Sequence, residues 1–311
     1  MVNIMSKKIL LTLLLLLFVT GCATKTPVTW QERIVEPKVK IVPLVYEEYG
    51  EDNQETLLFL HGFGESRHTW RFLVPELSKK YHLIMLDLKG FGDSPKEDDS
   101  FYSVYDQAKI VQAFIKHKRL SKLTLVGRSF GGGVSLVLAL MQKDRLIKPV
   151  IERLILINAM AYKQELPSML KTLNQPVIGF LAIHIMSNEW MAEEGYRYAF
   201  YNDDLIPKKS IEYTAESLAL PLAKYAYLET VDQLIPDDIE KMQRRYREIL
   251  LPSLIMWGKE DVSLRVSKAY RLHRDLKNSR LKVFPKVGHI PQEEVPSKVV
   301  TEIVKFMEER L

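Results

Sequence analysis

Lys122-Leu123-Thr124-Leu125-Val126 followed by Gly127-Arg128-Ser129-Phe130-Gly131 is the stretch on which the reading of this 311-residue chain turns. The apolar run reads as a strand. Gly132 to Leu140 (GGVSLVLAL) reads as a helix that opens on small residues. A strand, a sharp turn and a helix give Gly-x-Ser-x-Gly its meaning, since the serine is then forced into strained backbone geometry. Its neighbours must lack bulk, which Gly127 and Gly131 supply, and Gly132 and Gly133 extend the same economy into helix packing. The strain lifts the Ser129 hydroxyl above a sheet, at the positive end of a helix. Ser129 is therefore a candidate nucleophile.

Around that stretch, strand-like and helix-like patterns alternate. Val39 to Tyr49 has the β-branched and aromatic content of an early strand or hairpin, and Thr56 to Leu60 (TLLFL) is continuously apolar. Helix-like Trp70 to Lys80, strand-like His82 to Leu86 and helix-like Val104 to His117 follow. After the Ser129 unit come strand-like Arg153 to Ile157, Pro252 to Trp257 and Arg280 to Phe284, then helix-like Ser297 to Glu309. This rhythm predicts an α/β fold, a mostly parallel central sheet flanked by helices, with its chemistry beyond the carboxyl ends of the strands. Residues 159–250 break the rhythm. They read as an inserted helical cap that divides the core into 40–158 and 251–311, with Phe180, Met186, Trp190, Tyr196 and Tyr198 as candidate pocket lining. Within it, Asp237 to Arg247 (DDIEKMQRRYR) reads as a solvated helix face.

Each strand end carries a motif. His61-Gly62-Phe63-Gly64 follows the first apolar strand, Asp87-Leu88-Lys89-Gly90-Phe91-Gly92-Asp93-Ser94 the next, and Gly127-Arg128-Ser129-Phe130-Gly131-Gly132 the third. In this order and spacing, over roughly residues 40 to 311, they resemble the α/β-hydrolase superfamily, specifically its capped serine hydrolases. The resemblance implies the α/β-hydrolase fold and an oxyanion hole formed by the backbone N–H groups of Phe63 and Phe130. It implies a structural rather than a proton-transferring His61, and the chain order serine, acid, histidine. His289 in Val287-Gly288-His289-Ile290-Pro291 is then the base. Asp261, at the end of Gly258-Lys259-Glu260-Asp261, is the acid, with Glu260 as the adjacent competitor. Some relatives carry the acid after the strand that here ends at Ile157. That end reads Asn158-Ala159-Met160, with no carboxylate.

Met1 to Cys22 reads as a leader rather than as part of the fold. Lys7 and Lys8 precede the apolar run Ile9 to Val19, and its eleven residues fall short of the roughly 20 that span a bilayer as a helix. Val19-Thr20-Gly21-Cys22 resembles the lipobox of bacterial lipoproteins, which implies a signal peptide over 1–21, acylation (palmitate) of Cys22 and a lipid-anchored place in the cell envelope. Ala23, in place of the aspartate that favours inner-membrane retention, points to the outer membrane if the cell is Gram-negative. Cys22 is the only cysteine, so no internal disulfide exists. Residues 22–39, polar and with two prolines, read as a tether.

Removing Lys7 and Lys8 lowers the formal charge from +5 to +3, and no basic block interleaves with aromatics, so nucleic acid is not an expected partner. His68, His82, His117, His184 and His273 have no metal-ligand spacing; neither metal nor cofactor is expected. The expected activity is hydrolysis of a small or medium carboxylic ester or thioester through an acyl-serine. A carbon–carbon bond hydrolase of the same fold, a transacylase and a catalytically silent lipid-anchored binding protein are the alternatives. Arg128 binds a substrate carboxylate or makes a structural ion pair.

Overall fold

Strands that are apolar at every position can sit only where both faces of a sheet are covered. A computed structural model describes residues 30–35 and 39–309 of the chain, and in it Thr56–Leu60 is buried along its whole length. That strand, β2, lies within a seven-stranded sheet. The others are β1 (Tyr46–Tyr49), β3 (His82–Leu86), β4 (Leu123–Arg128), β5 (Ile151–Ile157), β6 (Ser253–Gly258) and β7 (Ser279–Phe284). The order is β1-β3-β2-β4-β5-β6-β7. Every pairing is parallel except that of β1 with β3. Exposed β1 closes one edge with Glu47 and Glu48, charges that discourage edge-to-edge pairing.

The register aligns the strand ends. Leu60 lies opposite Gly127, Arg128 opposite Ile157, and Gly258 opposite Phe284. Each motif therefore leaves the sheet along one edge. Side chains alternate between two apolar layers. Leu58, Leu60, Ile84 and Leu86 join one, while Leu57, Phe59, Leu83 and Met85 join the other.

In chain order the helices before the insert are α1 (Trp30–Val35), α2 (Val74–Leu77), α3 (Val104–His117) and α4 (Phe130–Lys143). Helices α5 (Ser168–Leu173), α6 (Pro176–Ile185), α7 (Asn188–Ala199), α8 (Lys208–Ala219), α9 (Ala223–Asp232) and α10 (Ile239–Arg244) all fall between β5 and β6. Then come α11 (Ser267–Asp275), α12 (Pro291–Glu294) and α13 (Pro296–Met307). Helices α3, α4 and α11 cover the first apolar layer; Trp70, α2 and α13 cover the second. A capping box at Ser103 and Asp106 starts α3, satisfying backbone donors that no helical carbonyl can reach.

Three expectations change. Trp70 to Lys80 is not one helix but a 3₁₀ turn, Arg67–Trp70, and the single turn α2, because Pro75 lacks the N–H that a continuous helix would need. The tract 237–247 is not a wholly solvated face: Asp238, Ile239, Met242 and Tyr246 are buried, and Asp238 accepts the Tyr105 hydroxyl at 2.8 Å. Residues 30–35, expected in a tether, form α1 on the domain surface. Trp30 donates through Nε1 to Asp144 at 3.0 Å and lies 5.0 Å under the Arg245 guanidinium, and Val39, Val42 and Leu44 are buried beyond it. The expected signal peptide and the expected lipidation site, Cys22, lie outside the described residues. Among those described, no helix is long and apolar enough to cross a membrane.

If Trp30 holds α1 down, Trp30→Ala should speed amide exchange in residues 30–35 and leave the protection of β2, β4 and β6 unchanged. Unchanged exchange in α1 would mean that other contacts hold it.

Candidate active site

Ser129 stands between β4 and α4 with φ 50° and ψ −115°, a conformation that costs a non-glycine residue about 1–3 kcal/mol. The surroundings hold it there. Its N–H donates to Ile157 O at 3.0 Å, and its carbonyl accepts from Met160 N at 2.8 Å and from Gly133 N at 3.1 Å. The turn is tight enough that a Cβ on Gly131 would stand 2.1 Å from Leu60 O, and one on Gly127 2.4 Å from Ser135 Oγ. Both positions demand glycine.

His289, on the loop after β7, brings Nε2 to 3.1 Å from Ser129 Oγ. Its Nδ1 lies 2.7 Å from Asp261 Oδ2. Asp261 is held by four donors. Ser263 N and Leu264 N reach Oδ1 at 2.8 and 2.7 Å, while Asn158 Nδ2 and His289 share Oδ2, the former at 2.5 Å. Burial pushes the Asp261 carboxyl up, but the attraction and hydrogen bond of His289 with the Leu264 and Asn158 donors outweigh it and hold the group below the usual carboxylate range. An ionised carboxylate only accepts, so His289 Nδ1 carries the proton and Nε2 is free to accept the Ser129 hydroxyl. Glu260 turns away and accepts Val287 N at 3.2 Å.

Above Ser129 lies the 61–64 loop. A Cβ on Gly62 would stand 3.1 Å from Ser129 Cβ. The N–H groups of Phe63 and Phe130 have no acceptor among the described residues, so each is available to a group bound over Ser129. His61 is fully buried and has no such freedom: Nε2 accepts Leu88 N at 2.9 Å, so Nδ1 donates to Gly62 O at 2.7 Å. Burial pushes its pKa down, which keeps it neutral. It ties the 61–64 loop to the 87–94 loop.

Arg128 resolves into an ion pair. Its Nη1 lies 2.8 Å from Glu65 Oε2, and Nη2 donates to His289 O at 3.2 Å. Glu65 also accepts Gly62 N at 2.9 Å, so one buried pair joins the loops that carry Gly62, Ser129 and His289. Breaking such a pair would strand a buried charge.

Two positioning residues escaped the sequence reading. Asn158, fully buried at φ 43°, follows β5 and donates to Asp261, while its Oδ1 accepts Gly258 N at 3.3 Å. Only a strand end without a carboxylate was visible there in sequence, not the amide's partner. Glu294 is buried at the end of α12. Its Oε1 accepts Gly288 N at 2.7 Å and its Oε2 accepts Tyr201 N at 2.9 Å, while His289 N donates to Ala199 O at 2.6 Å. Burial pushes the Glu294 carboxyl up, against the pull of those N–H donors. The histidine loop is thus bonded to the carboxyl end of α7.

A cavity of about 300 Å³ opens onto Ser129 and His289. Met160, Leu170, Met191 and Leu218 give it apolar walls, and Tyr196 and Tyr198 face it as expected. Phe180 and Trp190 do not: both are largely exposed, and Met186 packs against the core. Their aromatic character suggested lining, but the helix faces that carry them turn outward. Tyr227, on α9, was missed; it lines the cavity and its ring lies 4.4 Å from that of Phe63. Among the described residues no cluster of histidine, cysteine or acidic side chains could hold a metal ion.

A family model described as alpha/beta hydrolase fold matches residues 55–296. The uncharacterized hydrolase YugF of Bacillus subtilis is 30% identical over 275 residues, covering 86% of this chain and 94% of its own. A putative lipase of Acinetobacter baumannii is similar in structure, with a TM-score of 0.69, 25% identity and coverage of 92% and 97% of the two chains. An esterase of Thermogutta terrifontis superposes with a TM-score of 0.70 over 86% of this chain and 93% of its own, at 22% identity, a likeness of fold.

Glu294→Ala leaves the buried Gly288 N–H without its acceptor, at about 1–3 kcal/mol, while water can reach the N–H of half-exposed Tyr201. Urea unfolding should therefore show a loss of about 1–3 kcal/mol, and a loss below about 0.5 kcal/mol would mean that water replaces the carboxylate at Gly288 too.

Proposed function

This chain belongs to the α/β-hydrolase family, and we propose that it is a serine hydrolase that cleaves a small or medium carboxylic ester or thioester through an acyl-serine. The observation that carries the proposal is the unbroken relay from Asp261 through His289 to Ser129, 2.7 and 3.1 Å, beneath two free N–H groups. Ser129 is the nucleophile, and His289 Nε2 takes its proton as Oγ attacks the carbonyl carbon. Phe63 N–H and Phe130 N–H receive the oxyanion, where each aimed donor is worth about 3–4 kcal/mol of barrier. His289 then protonates the leaving group. Asp261 holds the tautomer and stabilises the imidazolium. Water, activated by the same histidine, releases the acid and restores Ser129.

Helices α5 to α10 act as the cap in this reading. The volume of about 300 Å³ and its apolar walls suit a short or medium acyl group better than a long one. Arg128 is already paired with Glu65, which argues against its use on a substrate carboxylate. Cys22 carries the lipid that holds the enzyme in the envelope.

Ester hydrolysis across p-nitrophenyl esters from acetate to long acyl chains tests the chemistry, with fluorophosphonate labelling beside it. Ser129→Ala should abolish both, and Asp261→Asn should lower kcat by about 10⁴-fold through the wrong imidazole tautomer. Labelling without ester turnover would favour carbon–carbon bond hydrolysis. Neither signal from folded protein would favour a silent binding protein. For the anchor, Cys22→Ser should lose palmitate incorporation and membrane association, and retention of both would refute the lipobox.

A further inference from the structure

Helix α6 is apolar on the wrong side. Val177, Leu181 and Ile185 recur at four-residue spacing with Ile178 beside them, one stripe of the helix, and all are more than half exposed; Ile185 reaches 81%. Phe180 widens the stripe, its ring centred 4.4 Å from that of exposed His184 and tilted by 40°. The inner face is smaller: Gly179 and Ile183 are buried, and a Cβ on Gly179 would stand 2.0 Å from Leu173 O, so α6 is pressed onto the end of α5. A helix apolar all round is normally buried, and a continuous exposed apolar face marks an interaction site.

We propose that the outer face of α6 docks into the surface of a lipid bilayer, at the level of the headgroups and upper acyl chains. Two observations select lipid over protein. Residues 174–188 contain no aspartate, glutamate, lysine or arginine, so the face offers no charged side chain to orient a protein partner, which a bilayer does not require. The second is where the chain leaves the domain. Trp30 fixes α1 on the domain, and the eight steps from Cys22 to Trp30 span at most about 28 Å. This second argument rests on the lipid-anchored reading of Cys22. One anchored element and one apolar face, each weak alone, bind a membrane firmly together. The cavity follows from this orientation: α5, whose Met169 and Leu170 line it, packs directly on α6, so an amphiphilic ester would enter from the lipid side.

Trp190, exposed in the first turn of α7 just beyond α6, reports the contact. The full chain is reconstituted into phosphatidylcholine vesicles, with or without bromine on the lipid acyl chains, and tryptophan emission is compared. A helix seated about 5–10 Å into the interface brings Trp190 within reach of the bromines. Quenching that Trp190→Phe removes, and that Ile178→Glu with Ile185→Glu also removes, is the expected result; both glutamates replace exposed side chains, so the fold should survive. Equal emission in the two vesicles overturns the proposal. Emission that is shielded without bromine quenching, and that changes on dilution, assigns the face to a second copy of the chain and overturns it too. Cys22→Ser separates the two readings: failure of the lipid-anchored reading leaves vesicle retention unchanged in Cys22→Ser, whereas failure of the α6 proposal leaves bromine quenching unchanged in Ile178→Glu with Ile185→Glu.

Discussion

The alignment of strand ends along one sheet edge is the constraint on which the molecule depends. Parallel pairing with this register brings the residues after Leu60, Arg128, Ile157 and Gly258 together, although more than two hundred positions separate the first from His289. No local interaction could do so. The fully apolar strands make the register costly to change, since a one-residue slip would exchange every side chain between the two layers. Backbone strain at Ser129 is tolerated because hydrogen bonds from β5 and the start of α4 over-determine it.

The fold was legible in sequence because its signals are local. Four consecutive apolar residues at Leu57–Leu60 can be read without knowing their partners, and so can a serine flanked by glycines between a strand and a helix. Ser129 was read in that local way, whereas Asp261 and His289, each after a strand, were assigned through the resemblance to α/β-hydrolases; the three meet in space within hydrogen-bonding distance. The misreadings arose where one residue altered a local pattern or where facing decided the matter. Pro75 shortened a helix. Phe180 and Trp190 have the composition of pocket residues and the orientation of surface ones. Asn158 and Glu294 act through partners 103 and 93 residues away, and nothing in their own neighbourhoods announces those partners.

Charge inside this site serves position as well as chemistry. Arg128 and Glu65 sit beside the nucleophile, yet their bonds go to each other, to Gly62 and to His289 O. A neutral His61 performs a similar task one loop away. Polar groups of this kind are expensive to bury, and each of these is met by a partner, although the Nε of Arg128 has none among the described residues.

The bond from His289 N to Ala199 O and the bridge of Glu294 to Tyr201 make the insert and the histidine loop share one seam. The six helices are therefore not an interchangeable cassette. A chimaera that borrowed another protein's insert would inherit Ser129 intact on its own turn, but would misalign the imidazole unless the graft also offered a carbonyl at 199 and an N–H at 201. Substrate range in this lineage can drift through side chains along the cavity far more easily than through wholesale replacement of the helices that carry them.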